Sequence, residues 1–320
     1  MTLRRPAAVL RFDGRDLALD ESAAAAVTVE LTTTGGHDRA TIVLGPGSPV
    51  LDVAAAAAIE IELGDDGGTV ACFAGTVAQV LHRPWGTVVE ALSATFALDG
   101  LRVGRVYVGR TIGDIVSDLA SAARVTPGEI DASTNLTVFH ADEARTAWRH
   151  VRGLAALCGA ELTSGERGEI NLRPPRTGAA DHTMRGGADL LEWAVGARPQ
   201  PLASAPAGPF SAASEQGSDA WSLVHHDPGG GGFRSVMPTV RDRDLAQLVD
   251  DGRAAGQRRA GRRGRLVVVG DASIRAGHLV ELDAAGVDPV DRATGTYRAV
   301  TVRHEIDRGG FRTELWIEAA

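Results

Sequence analysis

Lysine is absent from the 320 residues, and all 33 basic side chains are arginine. That excludes a Walker-type phosphate loop, a Schiff-base enzyme and a Ser-x-x-Lys hydrolase, each of which needs a lysine amine. Cysteine occurs only as Cys72 and Cys158, far apart in sequence, which reads as two buried thiols rather than a disulfide framework or a metal site. Aromatic residues make up 4% of the chain, so its cores have to be built from Val, Leu, Ile and Ala. No run approaches the roughly eighteen apolar residues of a membrane span. The opening MTLRRPAAVLRFDG has no apolar run long enough for a signal peptide, and SAAAAVTVEL is short and bracketed by Glu21 and Glu30. Positive net charge is also lacking. At −8 the chain is disfavoured as a general binder of nucleic acid or anionic membrane. These absences predict a protein made and folded in a cytoplasm, with no membrane partner and no specifically bound nucleic acid.

What is present is β texture at both ends. Residues 1–100 run through AAVLRFDGRDL, AVTVELTT, RATIVL, AIEIELGDDGGTVACFAGTVAQVLHR and GTVVEALSATFAL, separated by TGGHD, GPGSP and GDDGG. Short Val/Ile/Thr-rich runs at close spacing predict a barrel or sandwich. DDGG between Ile61–Leu63 and Val70–Cys72 predicts a hairpin. At the other end, Val300, Val302 and Ile306 alternate with Thr301, Arg303 and Glu305. After Asp307-Arg308-Gly309-Gly310, Phe311, Thr313, Leu315 and Ile317 alternate with Arg312, Glu314, Trp316 and Glu318. Period-two runs on either side of Gly-Gly predict a closing hairpin.

Between the ends the texture is mixed. TIGDIVSDLASAAR places Ile112, Ile115, Val116, Leu119 and Ala123 at helical spacing, with Thr111 and Asp114 positioned as a capping box. DEARTAWRHVRGLAALCG puts Ala147, Trp148, Val151, Leu154, Ala155 and Cys158 on one helical face and stops at Gly159. AELTSGERGEINLRP follows as a hairpin, so residues 101–175 form a small α/β unit. Residues 176–234 connect, and the Pro/Ala/Ser/Gly-rich PQPLASAPAGPFSAASEQGSDAW reads as loop or linker. Residues 235–320 hold a third helix, RDLAQLVDDGRAAGQRRA, and then β structure again.

Chemistry-bearing motifs are few. His225-His226-Asp227 has metal-ligand residue types, but it sits beside four glycines without a partner motif and reads as a solvated loop. No Gly-x-Ser-x-Gly elbow occurs, and neither GPGSPV nor DPGGGG joins a strand to a helix as a dinucleotide fingerprint must. The five arginines of GQRRAGRRGR are placed to cover the exposed face and C-terminal end of the third helix, where cations complement the dipole. Asp65-Asp66 and Asp250-Asp251 fall in turn and surface-helix contexts, without the separation of glycosidase carboxylates. Nothing in the sequence indicates a catalytic residue, a metal or a cofactor.

The order of the segments carries more than any one of them. Gly75 and Val77 stand in F-x-G-x-V; Tyr107, Gly109, Thr111 and Ile115 in Y-x-G-x-T-x-x-x-I; Trp148, Leu154, Ala155 and Gly159 along the second helix. Gly277 precedes a strand, and Gly295, Tyr297, Val300, Val302, His304, Phe311, Thr313 and Leu315 form the closing G-x-Y-x-x-V-x-V-x-H … F-x-T-x-L. From residue 70 to 320 this series resembles the baseplate hub proteins of contractile phage tails and related injection systems. These are the late-control D-type tail proteins, the T4-type hub and the hub portion of the type VI secretion VgrG spike protein.

The resemblance implies a mainly β chain with an α+β insertion. Two tail-tube-like β-barrel domains (residues 1–100 and 235–320) would flank the small α/β domain, and three chains would form a ring of six similar barrels around a pore. It implies a structural role, as a homotrimeric adaptor between a threefold spike and the sixfold inner tube, with other baseplate proteins as further partners and assembly in a bacterial cytoplasm. Spike fusions continue into further domains, whereas this sequence stops at Ala320, so the spike is expected to be a separate polypeptide. Arg303, Glu305, Arg312 and Glu314 would face either the pore or a neighbouring subunit. His304, on the alternating face of a strand, reads as structural. Two alternatives remain at this point. A hydrolase on β domains would need a catalytic pair, and a carbohydrate-binding or adhesin module would expect exposed aromatic platforms.

Overall fold

A computed structural model of the chain describes residues 5–197, 208–214, 221–225, 234–284 and 293–320. The first β region holds β1 (Pro6–Phe12), β2 (Arg15–Ala18), β3 (Ala24–Thr32), β4 (Arg39–Leu44), β5 (Ala58–Asp65), β6 (Gly68–Arg83) and β7 (Gly86–Ser93). A 3₁₀ turn (Ala94–Phe96) and α1 (Ala97–Gly100) lead to β8 (Arg105–Thr111), α2 (Ile112–Ala122), β9 (Pro127–Ile130), β10 (Asn135–Ala141), α3 (Ala147–Cys158), β11 (Glu161–Ser164) and β12 (Ile170–Arg173). Then come β13 (His182–Arg185), β14 (Leu190–Ala197), β15 (Gly208–Ser214), β16 (Trp221–His225), β17 (Arg234–Val236) and α4 (Arg243–Ala260). The chain closes with β18 (Arg262–Val269), β19 (Leu279–Asp283), β20 (Gly295–Asp307) and β21 (Gly310–Ala319).

The mainly β class with an α/β insertion is as expected. The two β regions are joined edge to edge in one 13-stranded sheet, β14-β18-β21-β20-β3-β4-β7-β6-β5-β1-β2, with β13 and β19 branching from β20. Neither region closes into a barrel among the described residues. The joint is the antiparallel pair β3–β20, where Leu31 faces Val302 and Val27 faces Ile306. All four of these side chains are buried in a core that draws on both β regions. The connection between β18 and β19 also reaches across to β6. Arg275 donates to the carbonyls of Ala71 (3.2 Å) and Cys72 (2.9 Å), and the Cys72 thiol contacts the Ala272 carbonyl at 3.5 Å.

Local chemistry fixes the turns and helix ends. In the β5–β6 hairpin Asp65 faces Gly68, and the Asp65 carboxylate accepts the Gly67 N–H at 2.7 Å. The β20–β21 hairpin repeats the device, with Asp307 facing Gly310 and accepting the Gly309 N–H at 2.7 Å. Thr111 and Asp114 form the capping box of α2. Helix α3 starts at Ala147, later than the sequence pattern suggests, because the Thr146 hydroxyl caps it by accepting the Arg149 N–H; it ends on Gly159 at φ 66°.

A second core underlies the α/β unit and takes in Ile115, Leu119, Trp148, Val151 and Leu154. Leu245, Ala246 and Val249 of α4 belong to it too, so the third helix packs beside α3 rather than inside the C-terminal β region. The stretch read as linker contains β15 and opens β16. These strands pair antiparallel, with β17 parallel to β15 on the other side. The Ala/Ser-rich sequence of β15 has weak strand propensity, so pairing, not local preference, makes it a strand.

Candidate functional site

The residues of the closing motif converge on one feature. His304 on β20 faces Thr313 on β21, and His304 is fully buried. Its Nε2–H donates to the Ile274 carbonyl at 3.0 Å, and its Nδ1 accepts from the Thr313 hydroxyl at 3.0 Å. Thr313 in turn accepts the Asp271 N–H at 3.0 Å. The Phe311 ring lies 6.3 Å from the imidazole, and Leu315 is buried in the shared core. Tyr297 donates its hydroxyl to the Ala293 carbonyl at 2.7 Å, under the Arg262 guanidinium. Gly295 opens β20, and the bulge that shifts register between Ala299 and Thr301 falls at Val300. The motif thus pins the final hairpin to the β18–β19 connection.

Beside it lies a buried ionic junction that the sequence reading did not single out. Arg298 on β20 pairs with Glu318 at the end of β21 and with Glu161 at the start of β11, and all three side chains are less than 10% exposed. Arg259 of α4 reaches Glu318 at 3.3 Å, and Arg263 lies 3.8 Å away. Glu318 sits on the polar face of β21, as its alternation predicts. The α/β unit covers that end of the face, so the charge is buried. Gly277 adjoins the junction at φ 88°, where an added Cβ would lie 3.1 Å from Glu161 Oε2. A side chain there would be strained and would crowd the carboxylate.

The earlier motifs form a second seam between sheet and α/β unit. The Trp148 ring on α3 lies 4.3 Å from the ring of His37, in the β3–β4 connection. His37 bonds Asp99 through Nε2 and Thr95 through Nδ1, both at 2.9 Å, and Asp99 accepts the Thr146 hydroxyl at 2.9 Å. Burial lowers the His37 pKa against the pull of Asp99. On β8 the Tyr107 hydroxyl donates to Asp118 at 2.5 Å, with Gly109 at φ 60° two residues on. Ile115 is on the buried face of α2, and Val77 and Gly75 lie within β6.

Asp38, next to His37, is also buried; it accepts the Thr32 N–H at 2.8 Å. Burial pushes its carboxyl up to about 7, and Thr32 and the Arg275 charge oppose this only partly. Burial drives His304 the other way, down to about 4. The two groups therefore give opposite pH slopes. His304 contributes stability that is full above about pH 6.5 and is lost as pH falls to 4, worth about 3 kcal/mol. Asp38 contributes stability that is full below about pH 4 and is lost as pH rises to 7, worth up to about 4 kcal/mol. Asp38→Asn keeps an acceptor for Thr32. It is expected to exceed the parent in stability at pH 8 and to match it near pH 4 in urea titrations. Equal stability of the two at pH 8 would show the carboxylate to be well solvated.

The outward face of the sheet carries cross-strand ion pairs. Arg312 bonds Glu305 at 2.9 Å and lies 3.5 Å from Asp307, and Arg303 lies 3.7 Å from Glu305. Arg265 joins Glu314 and, at 3.3 Å, Glu192; Arg39 joins Glu30 at 3.2 Å; Arg11 joins Asp16 and Glu60. Exposed pairs of this kind contribute about 0–1 kcal/mol each, so they solubilise the face more than they stabilise the fold. Of the five arginines at 256–265, Arg259, Arg263 and Arg265 are engaged by the chain's own carboxylates.

Among the described residues no group of three or more His, Cys, Asp or Glu could hold a metal ion. His226 and Asp227 lie outside the described residues, as does the side chain of His225. One cleft of about 950 Å³ brings Ser273, Asp271 and His182 together. The order is wrong for nucleophilic catalysis. The Ser273 hydroxyl donates directly to Asp271 at 2.6 Å, while His182 stands 4.0 Å from that carboxylate and bonds His278 through Nε2. No imidazole receives the serine proton. No helix among the described residues is long and apolar enough to cross a membrane.

No family model and no curated protein matches the chain. Solved structures do. A tail protein from Neisseria meningitidis MC58 superposes with a TM-score of 0.73 at 15% identity, covering 98% of this chain and 96% of that one. The 43 kDa tail protein of prophage MuSo2 from Shewanella oneidensis gives 0.71 at 10% identity, with 98% of each chain covered. The E. coli c3393 protein, a component of the type VI secretion system with structural similarity to the T4 bacteriophage tail proteins gp27 and gp5, gives 0.64 at 10% identity, covering 97% of this chain and 76% of that one. The chain has the fold of these tail proteins and of this type VI secretion component.

Proposed function

We propose that the chain is the baseplate hub of a contractile tail or injection system. In this reading it is a homotrimeric ring that joins the spike to the sixfold inner tube and contacts other baseplate proteins. The observation that carries it is the mutual near-full-length match to tail proteins, since both β regions and the α/β unit superpose together. Residues 1–100 and 235–320 supply most of the two tube-like modules and 101–175 the α/β module, with β13 and β14 of the connecting 176–234 added to the second tube-like module and α4 packed on the α/β module. The β3–β20 pair gives each chain a continuous two-module wall, which is what a trimer needs to present six similar modules. The ion-paired outer face suits a surface that solvent or passing cargo touches, because its charges are already met within the chain. The role is mechanical, without catalysis or cofactor, and the particle is assembled in a bacterial cytoplasm.

Class-averaged electron microscopy of the purified chain, alone and with its spike protein, tests this. A threefold ring with a pseudo-sixfold inner wall is the expected image. A monomer that stays monomeric with spike and tube proteins present overturns the proposal.

A further inference from the structure

A knob and a cleft of opposite character lie at the two ends of β6. The knob is the β6–β7 turn. Arg83 faces Gly86 across a two-residue loop, Pro84-Trp85, and His82 bonds Thr87 at 3.2 Å just behind it. Trp85 is 56% exposed, and Arg83 and Pro84 are exposed beside it. The Arg83 side chain makes no ion pair or hydrogen bond among the described residues. A tight turn presenting tryptophan and arginine combines the residue types that dominate protein–protein contacts, on a backbone that loses little freedom when bound.

The cleft is the one of about 950 Å³, between the β5–β6 turn, the β20–β21 turn and the start of the β18–β19 connection. Val70, Val269 and Phe311 give it apolar walls, and Val70 and Val269 are 46% and 37% exposed. Asp65, Asp189 and Asp271 line it as well, and among the described residues no arginine does, in a chain with 33 of them. A cleft with apolar walls and three carboxylates is complementary to a tip carrying an indole and an unpaired guanidinium.

Within one chain the two do not meet. β6 runs 16 residues from the cleft to the knob, a separation of up to about 50 Å along an extended strand. A second molecule has to supply the match. We propose that the Arg83-Pro84-Trp85 turn of one copy inserts into the Val70/Val269/Phe311 cleft of the next, with Arg83 against Asp189 and Asp271. The contact rests on the hub reading and gives it a subunit interface. Knob and cleft are different surfaces, so the contact is heterologous, and the hub reading requires that three such steps close a ring rather than run on as a filament.

The full-length chain is examined by sedimentation velocity over a concentration series. Trp85→Ala is expected to weaken self-association by about 30-fold or more, as loss of a central aromatic anchor does, with the melting temperature of the dissociated chain unchanged. Arg83→Glu is expected to weaken it as well, and adding Asp189→Arg in the same chain to recover much of that loss. A photo-crosslinking residue at position 85 should attach to residues 63–70 or 268–273 of another copy. A trimer that survives Trp85→Ala, or crosslinks that land elsewhere on a copy, overturns this contact and leaves the hub reading intact. Crosslinks to the tube or spike protein instead of a copy overturn it in favour of those partners. A wild-type chain that stays monomeric with spike and tube protein present overturns the hub reading along with the contact.

Discussion

Gly75→Val is expected to prevent the first β region from assembling, and Gly75→Ala to cost more than about 3 kcal/mol, the scale of severe overpacking in a closed core. The reason is space. A Cβ on Gly75 would lie 2.1 Å from the Leu92 carbonyl oxygen, 2.8 Å from its carbon and 2.9 Å from Phe73 Cζ. Two of these three atoms are backbone of β7, so no side-chain rotation relieves the overlap. Relief requires β6 and β7 to move apart where Gly75 pairs with Ser93, just before the register shift between Val77 and Gln79. β6 and β7 link β5 to β4, so opening them separates the two halves of the first region. Gly153→Ala is the control. Apart from the backbone of its own helix, no heavy atom stands within 4 Å of its added Cβ, and in mid-helix α3 the change is expected to stabilise by about 1 kcal/mol. Thermal and urea unfolding of the two variants should move in opposite directions. A melting temperature for Gly75→Ala within about 2 °C of wild type would show that the strands accommodate the methyl group.

That glycine was visible in the sequence as one position of F-x-G-x-V, but the Leu92 carbonyl that demands it was not. The same division runs through the chain. Signals that live within a few residues are legible: the Thr111–Asp114 capping box, the Asp-anchored turns at 65–68 and 307–310, and the Gly159 stop. So is the polar side of β21, on which Glu318 sits. Signals that depend on a distant partner are not. Nothing local says that β20 pairs with β3, about 270 positions away, or that α4 turns back to pack against α3. The Ala/Ser-rich β15 has no pattern to read, and its strand character comes from its neighbours. The closing motif shows the division most clearly. His304 and Thr313 are set opposite each other by the hairpin register alone. Ile274 and Asp271, which complete their bonding, enter only when the β18–β19 connection folds over them.

The charge that the fold buries between its layers should give the other large effect. Arg298→Met leaves Glu161 with no ion pair among the described residues, and leaves Glu318 with Arg259 at 3.3 Å and Arg263 at 3.8 Å. Stranding a carboxylate in a nearly dry site costs about 3–5 kcal/mol, because water no longer solvates it and nothing replaces the water. The loss should fall on the contact between layers, since Glu161 belongs to β11 and Glu318 to the sheet. Urea unfolding of Arg298→Met is therefore expected to separate into two transitions, the α/β unit and the sheet no longer melting together. Removing the stranded partner as well gives the decisive comparison. Glu161→Leu in the Arg298→Met background takes away the uncompensated charge and fills the space with an apolar side chain. The double variant should recover about 2 kcal/mol of the single variant's loss. If the double variant is less stable than Arg298→Met by the full cost of Glu161→Leu alone, the two residues are uncoupled. The layers would then be held by the His37–Trp148 seam and by packing, with the ionic junction a passenger.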